Sequence, residues 1–358
     1  MRKFIAAFLI TAATGAIPAA AQPSPEPQLA SENAAPNPAT IAAVVETLAA
    51  NLDENFVDPE VGRQYATALR ANLSAGKYAG VADADAFAKA VTADLQAVHK
   101  DGHLRLFSPA MMEKIKAGPR TGEGKKPASF IEKSGQIAPG VAYISFLAFM
   151  GDEPTKKQLN EFLAAEAGAK VLIVDARHHH GGGLDEMDLM FAQLFANPTD
   201  LLALDTREAV AKREGASEFG DLPTLRLASA PATVIRQLHR AIPASKPSLA
   251  NTKVLLLTSK KTASAGEHLA LALKRTHRAT LIGETTRGAG NYGRPFELAE
   301  GYQAFIPFGR TFDPDTGEGW EGTGVTPDVA VPAYQALDKA LEMAGVKARS
   351  TEVLASLR

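Results

Sequence analysis

Cysteine is absent from the 358 residues. That excludes disulfides, thiolate nucleophiles and cysteine-based zinc sites. An excess of charge of one sign is missing too: 38 Lys and Arg against 40 Asp and Glu leave a net charge of -2. No electrostatic case exists for nucleic acid or for an anionic membrane surface. Past the N-terminus no apolar run approaches the length of a membrane helix, and no internal repeat is found. There is only one tryptophan, so the loop that carries it, Trp320-Glu-Gly-Thr-Gly-Val-Thr-Pro-Asp328, stands out.

What is present begins with a targeting pattern. Arg2 and Lys3 precede an apolar stretch from Phe4 to Pro18, and Ala19-Ala-Ala21 offers a cleavage site. The expectation is a signal peptide over residues 1–21 and a secreted, periplasmic protein with no membrane insertion after cleavage. A Pro/Ala/Ser/Glu-rich linker covers 22–37. Apolar residues then recur at three- and four-residue steps (Ile41, Val44, Val45, Leu48, Leu52; Phe87, Val91, Leu95, Val98). They predict a small helical domain over 38–105. A mobile connecting segment is expected over 106–135, too short for a PDZ module. Strand-like and helix-like segments alternate over 136–345, the pattern of a layered α/β domain, and 346–358 reads as a C-terminal tail. Within the α/β part, Thr233 to Arg240 reads as a short helix and Arg207 to Pro223 as a surface insertion.

The chemistry-bearing stretch is Val254-Leu-Leu-Leu-Thr-Ser-Lys-Lys-Thr-Ala-Ser-Ala-Gly-Glu-His268. A β-type run ends in a polar elbow and a helical pattern follows, with Ser264 at the join between two alanines. A serine there has its hydroxyl exposed, small neighbours, and helix N-terminal N–H groups beside it. A plain N-cap serine fits the same pattern. Gly181-Gly-Gly183 follows a buried strand and precedes a helix, which suits an oxyanion or phosphate loop or an ordinary turn. Neither Walker A nor G-x-G-x-x-G spacing is present. His178, His179 and His180 are consecutive, so their side chains diverge, and no metal site is expected. Among the other histidines, His239 and His277 sit in basic, surface-like contexts, and His268 lies one turn past Ser264 on its helix. His103 is in a glycine-containing turn entering a strand, a better place to present a side chain. A structural histidine remains an open reading for each.

Together, Asp101-Gly-His-Leu-Arg-Leu106, Asp175-Ala-Arg-His-His-His-Gly-Gly182, Thr262-Ala-Ser-Ala-Gly-Glu267, Gly283-Glu-Thr-Thr-Arg-Gly-Ala-Gly290 and the tryptophan loop resemble the tail-specific (C-terminal processing) serine peptidases. The likeness is strongest to the branch without a PDZ domain, that of the tricorn core protease and interphotoreceptor retinoid-binding protein. It implies a crotonase/ClpP-like core of ββα units behind the helical domain, and Ser264 as nucleophile. The lysine of the tail-specific dyad is replaced by Ala289. The tricorn-like histidine and glutamate correspond to His103 and Glu321, while Gly102 stands where that branch has a serine and His179 where the family loop has asparagine. The resemblance further implies an oxyanion hole from the N–H groups of Ala265 and of Gly181 or Gly182, no cofactor, and a peptide or unfolded protein as substrate. A degenerate relative that binds an apolar ligand or peptide without cutting it is the alternative.

Overall fold

The computed structural model describes residues 33–116, 128–214 and 222–357. The expected signal peptide and residues 22–32 of the linker lie outside the described residues.

The periodic apolar stripes become three helices, α1 (Pro38–Asn55), α2 (Pro59–Ser74) and α3 (Ala84–Val98). Each has an N-cap whose side chain accepts a first-turn N–H: Asn37, Asp58 and Asp83. Pro38 and Pro59 open α1 and α2, where no intrahelical N–H is lost. Their shared core includes Leu48, Tyr65 and Phe87, and it continues into Leu106, Tyr302, Ala304 and Ile306. The helices are therefore a lobe welded to a sheet rather than a body with a core of its own.

That sheet begins with β1 (Arg105–Phe107), which α4 (Pro109–Lys116) follows. Next in the chain come β2 (Ile131–Ala138), β3 (Val141–Phe146), α5 (Glu153–Ala165), β4 (Val171–Asp175), α6 (Asp185–Leu194), β5 (Thr199–Arg207) and α7 (Glu208–Glu214). After them lie β6 (Leu225–Ala228), β7 (Val234–Ala241), β8 (Lys253–Thr258), α8 (Ala265–Arg275), β9 (Ala279–Gly283), β10 (Asn291–Glu297), β11 (Gln303–Phe312), β12 (Val329–Ala330), α9 (Ala336–Met343) and α10 (Ser350–Ala355). Two six-stranded sheets result. One runs β12-β9-β8-β4-β3-β2 and is parallel except at β2; the other runs β1-β11-β5-β7-β6, with β10 on β11, and is antiparallel.

The parallel sheet is covered on both faces, which is why its strands read as continuous apolar runs. Val254 and Leu256 of β8 point toward α6 and α8, among Met187, Phe191, Leu269 and Leu273. Leu255 and Leu257 point to the other face, among Leu337, Leu341, Val353 and Leu357. The alternation is the two-residue period of a strand.

Four sequence expectations change. Thr233–Arg240 is not a helix but most of β7: it lies between β5 and β6, and Arg236 pairs with Asp205 on β5 at 2.6 Å. Its ladder partners lie elsewhere in the chain, which local periodicity cannot register. The connecting segment contains α4 and the start of β2, and of the surface insertion the part to Glu214 holds the end of β5 and α7. The C-terminal segment is docked: Val353 and Leu357 are buried, and Lys133 Nζ donates to the Leu357 carbonyl at 3.1 Å. Each such burial is worth roughly 1.5–3 kcal/mol.

Candidate active site

Strands β4 and β8 are parallel neighbours, with Asp175 opposite Leu257. Their following loops therefore leave the same sheet edge, the edge where parallel α/β sheets carry their sites. The loops are stitched together. Thr262 Oγ1 donates to the Ala176 carbonyl at 2.7 Å, Ala263 N–H to the His179 carbonyl at 3.0 Å, and Ser259 Oγ to the Arg177 carbonyl at 2.5 Å.

Ser264 follows directly at the start of α8. Its φ is +54° and its ψ -118°, one of three positive-φ residues other than glycine among the described residues. Such a conformation costs about 1–3 kcal/mol and persists only where the surroundings hold it. Glu267 does the holding. This buried carboxylate accepts from Ser264 N–H (2.8 Å), Ala289 N–H (2.9 Å), Gly288 N–H (2.6 Å) and Thr286 Oγ1 (2.6 Å). Burial raises its pKa, and the four donors pull the other way. Glu267 was missed as a site residue, although Ser264-Ala-Gly-Glu267 carries the capping-box spacing that signals it.

The glycine loop lies against this serine. A Cβ on Gly181 would come within 2.9 Å of Ser264 Cβ, and one on Gly182 within 1.9 Å of the Phe149 carbonyl oxygen. With φ of +119° and +129°, both positions need glycine. The two N–H groups differ in use. That of Gly181 donates to His179 Nδ1 at 3.1 Å. Those of Gly182 and of Ala265, the first residue of α8, have no partner among the described residues. The expected donor pair thus narrows to Ala265 and Gly182. His179, standing in for asparagine, is fully buried, stacked edge-on to Phe149 at 4.2 Å, and pushed down to about 3 by burial, so it stays neutral. The three consecutive histidines do diverge: His178 and His180 are exposed.

His103 arrives from the other sheet. Asp101 Oδ1 accepts from the N–H groups of His103 and Leu104, both at 2.8 Å, which forms the turn into β1; Asp101 Oδ2 accepts from Asn291 Nδ2 at 2.8 Å. The imidazole stacks on Phe305 at 5.4 Å. Burial holds it below its ordinary pKa, Arg105 adds to that, and Asp101 opposes it. His103 and Ser264 line one cavity of about 380 Å³, without a hydrogen bond between them. Glu321 makes no hydrogen bond to the imidazole. Its Oε1 accepts from Gly102 N–H at 2.7 Å, and its Oε2 from Gly290 and Asn291 N–H at 2.6 and 2.7 Å. Its hydrogen-bonded link to His103 is the preceding peptide. Burial first, and then Asp101, push its pKa up to about 7. Gly102 allows this packing, since a Cβ there would lie 2.8 Å from Ala289 Cα and Cβ.

One other histidine departs from expectation. His239, expected near the surface, is fully buried, and its Nε2 lies 2.7 Å from Asp188 Oδ1. Its Nδ1 is 2.8 Å from Nε2 of His268, which lines the cavity.

Ser264, set in a pocket at the edge of the parallel sheet, fits the class of serine peptidases, and the family matches carry that class. Residues 140–331 match peptidase family S41, and residues 38–137 match the N-terminal domain of peptidase S41 in eukaryotic IRBP. The chain belongs to peptidase family S41. In fold it is similar to a candidate peptidase from Parabacteroides merdae (TM-score 0.55, 17% identity, covering 88% of this chain and 96% of that one). It is also similar to the photosystem II D1 C-terminal processing protease (TM-score 0.50, 15% identity, 85% and 94%) and to the tricorn protease (TM-score 0.52, 12% identity, 89% and 36%).

Proposed function

We propose that this serine peptidase is an exported, periplasmic endopeptidase acting on peptides or unfolded protein through Ser264, His103 and Glu321. The observation that carries the reading is the shared cavity. A serine held at positive φ and an imidazole kept neutral by burial face one space, beside two unpartnered N–H groups. In the proposed cycle, His103 takes the Ser264 proton as the oxygen attacks a peptide carbonyl. Ala265 and Gly182 N–H hold the tetrahedral oxyanion, His103 returns the proton to the leaving amine, and water then resolves the acyl-enzyme. Glu321 is a positioning residue that fixes the Gly102–His103 turn. A fluorophosphonate probe is expected to label the protein on Ser264, as read by peptide mapping, and a peptide substrate to slow that labelling. Labelling elsewhere, or none, sinks the assignment. Stoichiometric binding of an apolar ligand without turnover would then favour the non-cutting alternative.

A pH dependence follows from Glu321. Its two oxygens meet three N–H donors, which only the carboxylate satisfies fully. We therefore expect kcat/KM to rise with pH through about 7, and Glu321→Gln to lower it by roughly 10²-fold while removing that limb. A limb that survives in the variant belongs to another group. Stability runs the opposite way. The folded carboxyl titrates near 7 rather than at its ordinary 4.5, so the folded state holds the extra proton in that window. Its contribution to stability falls as pH rises across the same window.

A further inference from the structure

Of the two N–H groups assigned to the oxyanion, that of Ala265 is presented by a helix, while that of Gly182 belongs to a loop. Residues 147–151, between β3 and α5, run beside this loop as a short strap. His180 N–H donates to the Leu147 carbonyl at 2.8 Å, Phe149 N–H to the Gly181 carbonyl at 2.9 Å, and Gly183 N–H to the Phe149 carbonyl at 2.7 Å. Phe149 and Gly182 thus form a parallel bridge. The bond from Phe149 N–H bears on the chemistry. The Gly181 carbonyl and the Gly182 N–H are the two ends of one trans peptide. With the carbonyl tied to the strap, the N–H points the opposite way, and Gly182 lines the cavity together with Ser264.

The strap is itself tied down by a side chain that the catalytic cycle does not use. Glu186, in the first turn of α6, is fully buried. Its Oε1 accepts from the N–H of Gly151, the last residue of the strap, at 2.8 Å. Gly151 has a φ of +65°, and a Cβ there would lie 3.2 Å from Asp185 Oδ2, so the turn fits closely against the same helix end. Between the two ties Met150 is exposed, so packing does not clamp the strap there. Helix α6 is anchored in the core by Met187 and Phe191, which puts the Glu186 acceptor on a rigid element. Burial raises the Glu186 pKa, Gly151 N–H opposes that, and Asp185 and Asp152 add to the rise. The tie to Gly151 needs an acceptor oxygen rather than a negative charge.

We propose that Glu186 is a positioning residue for the oxyanion: through Gly151 and the 147–151 strap it fixes the Gly182 peptide plane and keeps that N–H aimed at the oxygen of the carbonyl under attack. Glu186 touches no reacting atom. The proposal rests on the reading of Ser264 as nucleophile and of Gly182 as oxyanion donor. A strap released at Gly151 lets the peptide plane rotate, and a hydrogen bond weakens steeply once its donor leaves the line to the acceptor. Complete loss of one oxyanion donor costs roughly 10²- to 10³-fold in rate, which sets the ceiling for the effect.

The rate of fluorophosphonate labelling at Ser264, measured on the full chain, is the test. As Ser264 Oγ bonds to phosphorus and fluoride leaves, the phosphonyl oxygen takes the oxyanion position. The rate constant then reports the donors, and the final amplitude reports the folded fraction. Glu186→Met removes the acceptor, and Glu186→Asp keeps the charge but shortens the arm. Each is expected to slow labelling by at least about tenfold. Glu186→Gln keeps an oxygen in place and is expected to restore the rate to within about threefold of the wild type. The Met and Asp variants are read independently, so if one fails to fold the other is still compared with Gln. With Gly182→Ala, where the donor is already displaced, adding Glu186→Asp is expected to slow labelling no further. A purely structural role would lower the amplitude and spare the rate constant. Wild-type rates in the Met and Asp variants, a Gln variant as slow as they are, or factors that multiply with Gly182→Ala overturn the positioning role and leave Ser264 standing as nucleophile. A wild type that is not labelled on Ser264 removes the nucleophile and the proposal together.

Discussion

Replacing Ser264 with alanine is expected to lower peptide hydrolysis by roughly 10⁴- to 10⁶-fold, with binding and the oxyanion donors leaving a small residual rate. The same change should abolish fluorophosphonate labelling. It removes one hydroxyl and no part of the Glu267 network, which holds the elbow through backbone N–H groups, so the melting temperature should scarcely change. Glycine gives a sharper comparison. Alanine at φ +54° keeps the backbone strain, whereas Ser264→Gly releases it and is expected to be more stable than Ser264→Ala by about 1 kcal/mol. Equal stabilities would show that the elbow is not strained. Hydrolysis retained in either variant would remove Ser264 from the role of nucleophile.

Gly182→Ala is the second large effect. The added methyl would lie 1.9 Å from the Phe149 carbonyl oxygen and 2.9 Å from its nitrogen. Phe149 is fully buried against Phe146 and His179. The obstacle is backbone in a packed core, so the glycine loop must move instead, and φ +129° adds strain of its own. The N–H assigned to the oxyanion then leaves its place. Loss of one such donor costs roughly 10²- to 10³-fold in kcat, and a destabilisation of about 2–3 kcal/mol is expected alongside it. Titrated labelling rates and a chemical melt separate these two effects. A variant with normal kcat would mean that Gly182 does not supply the second donor.

Much of the site was legible because it is local. The strand-to-helix elbow at Ser264 announces itself through an apolar run, small neighbours and a helical period, all within fifteen residues of one another. The need for glycine at 181 and 182 is likewise visible as a loop between a buried strand and a helix. His103 could be preferred for its turn, but its environment could not be read, because the stacking Phe305 and the Asn291 that braces Asp101 lie far along the chain. His239 was misplaced for the same reason. Its flanking arginines look like a surface, yet alternate strand residues face opposite ways, so Arg236 and Arg240 can reach the partly exposed side while His239 is sealed within.

The sequence alone determined the class of chemistry and the fold family, since both are carried by short motifs and by apolar periods that each segment holds by itself. Tertiary structure alone decided how those motifs meet. It gave Glu321 to the Gly102 peptide rather than to the imidazole, committed Gly181 N–H to His179 and left that of Gly182 open, and aligned His268 with His239 and Asp188. The Glu321 and His268 bonds join groups that neighbour in space but not along the chain, whereas the Gly181 bond is local, two residues apart, and only the packing of its loop selects it. A carboxylate takes whichever donors the packed backbone presents, and their identity is settled only when the two sheets and the helical lobe are in place.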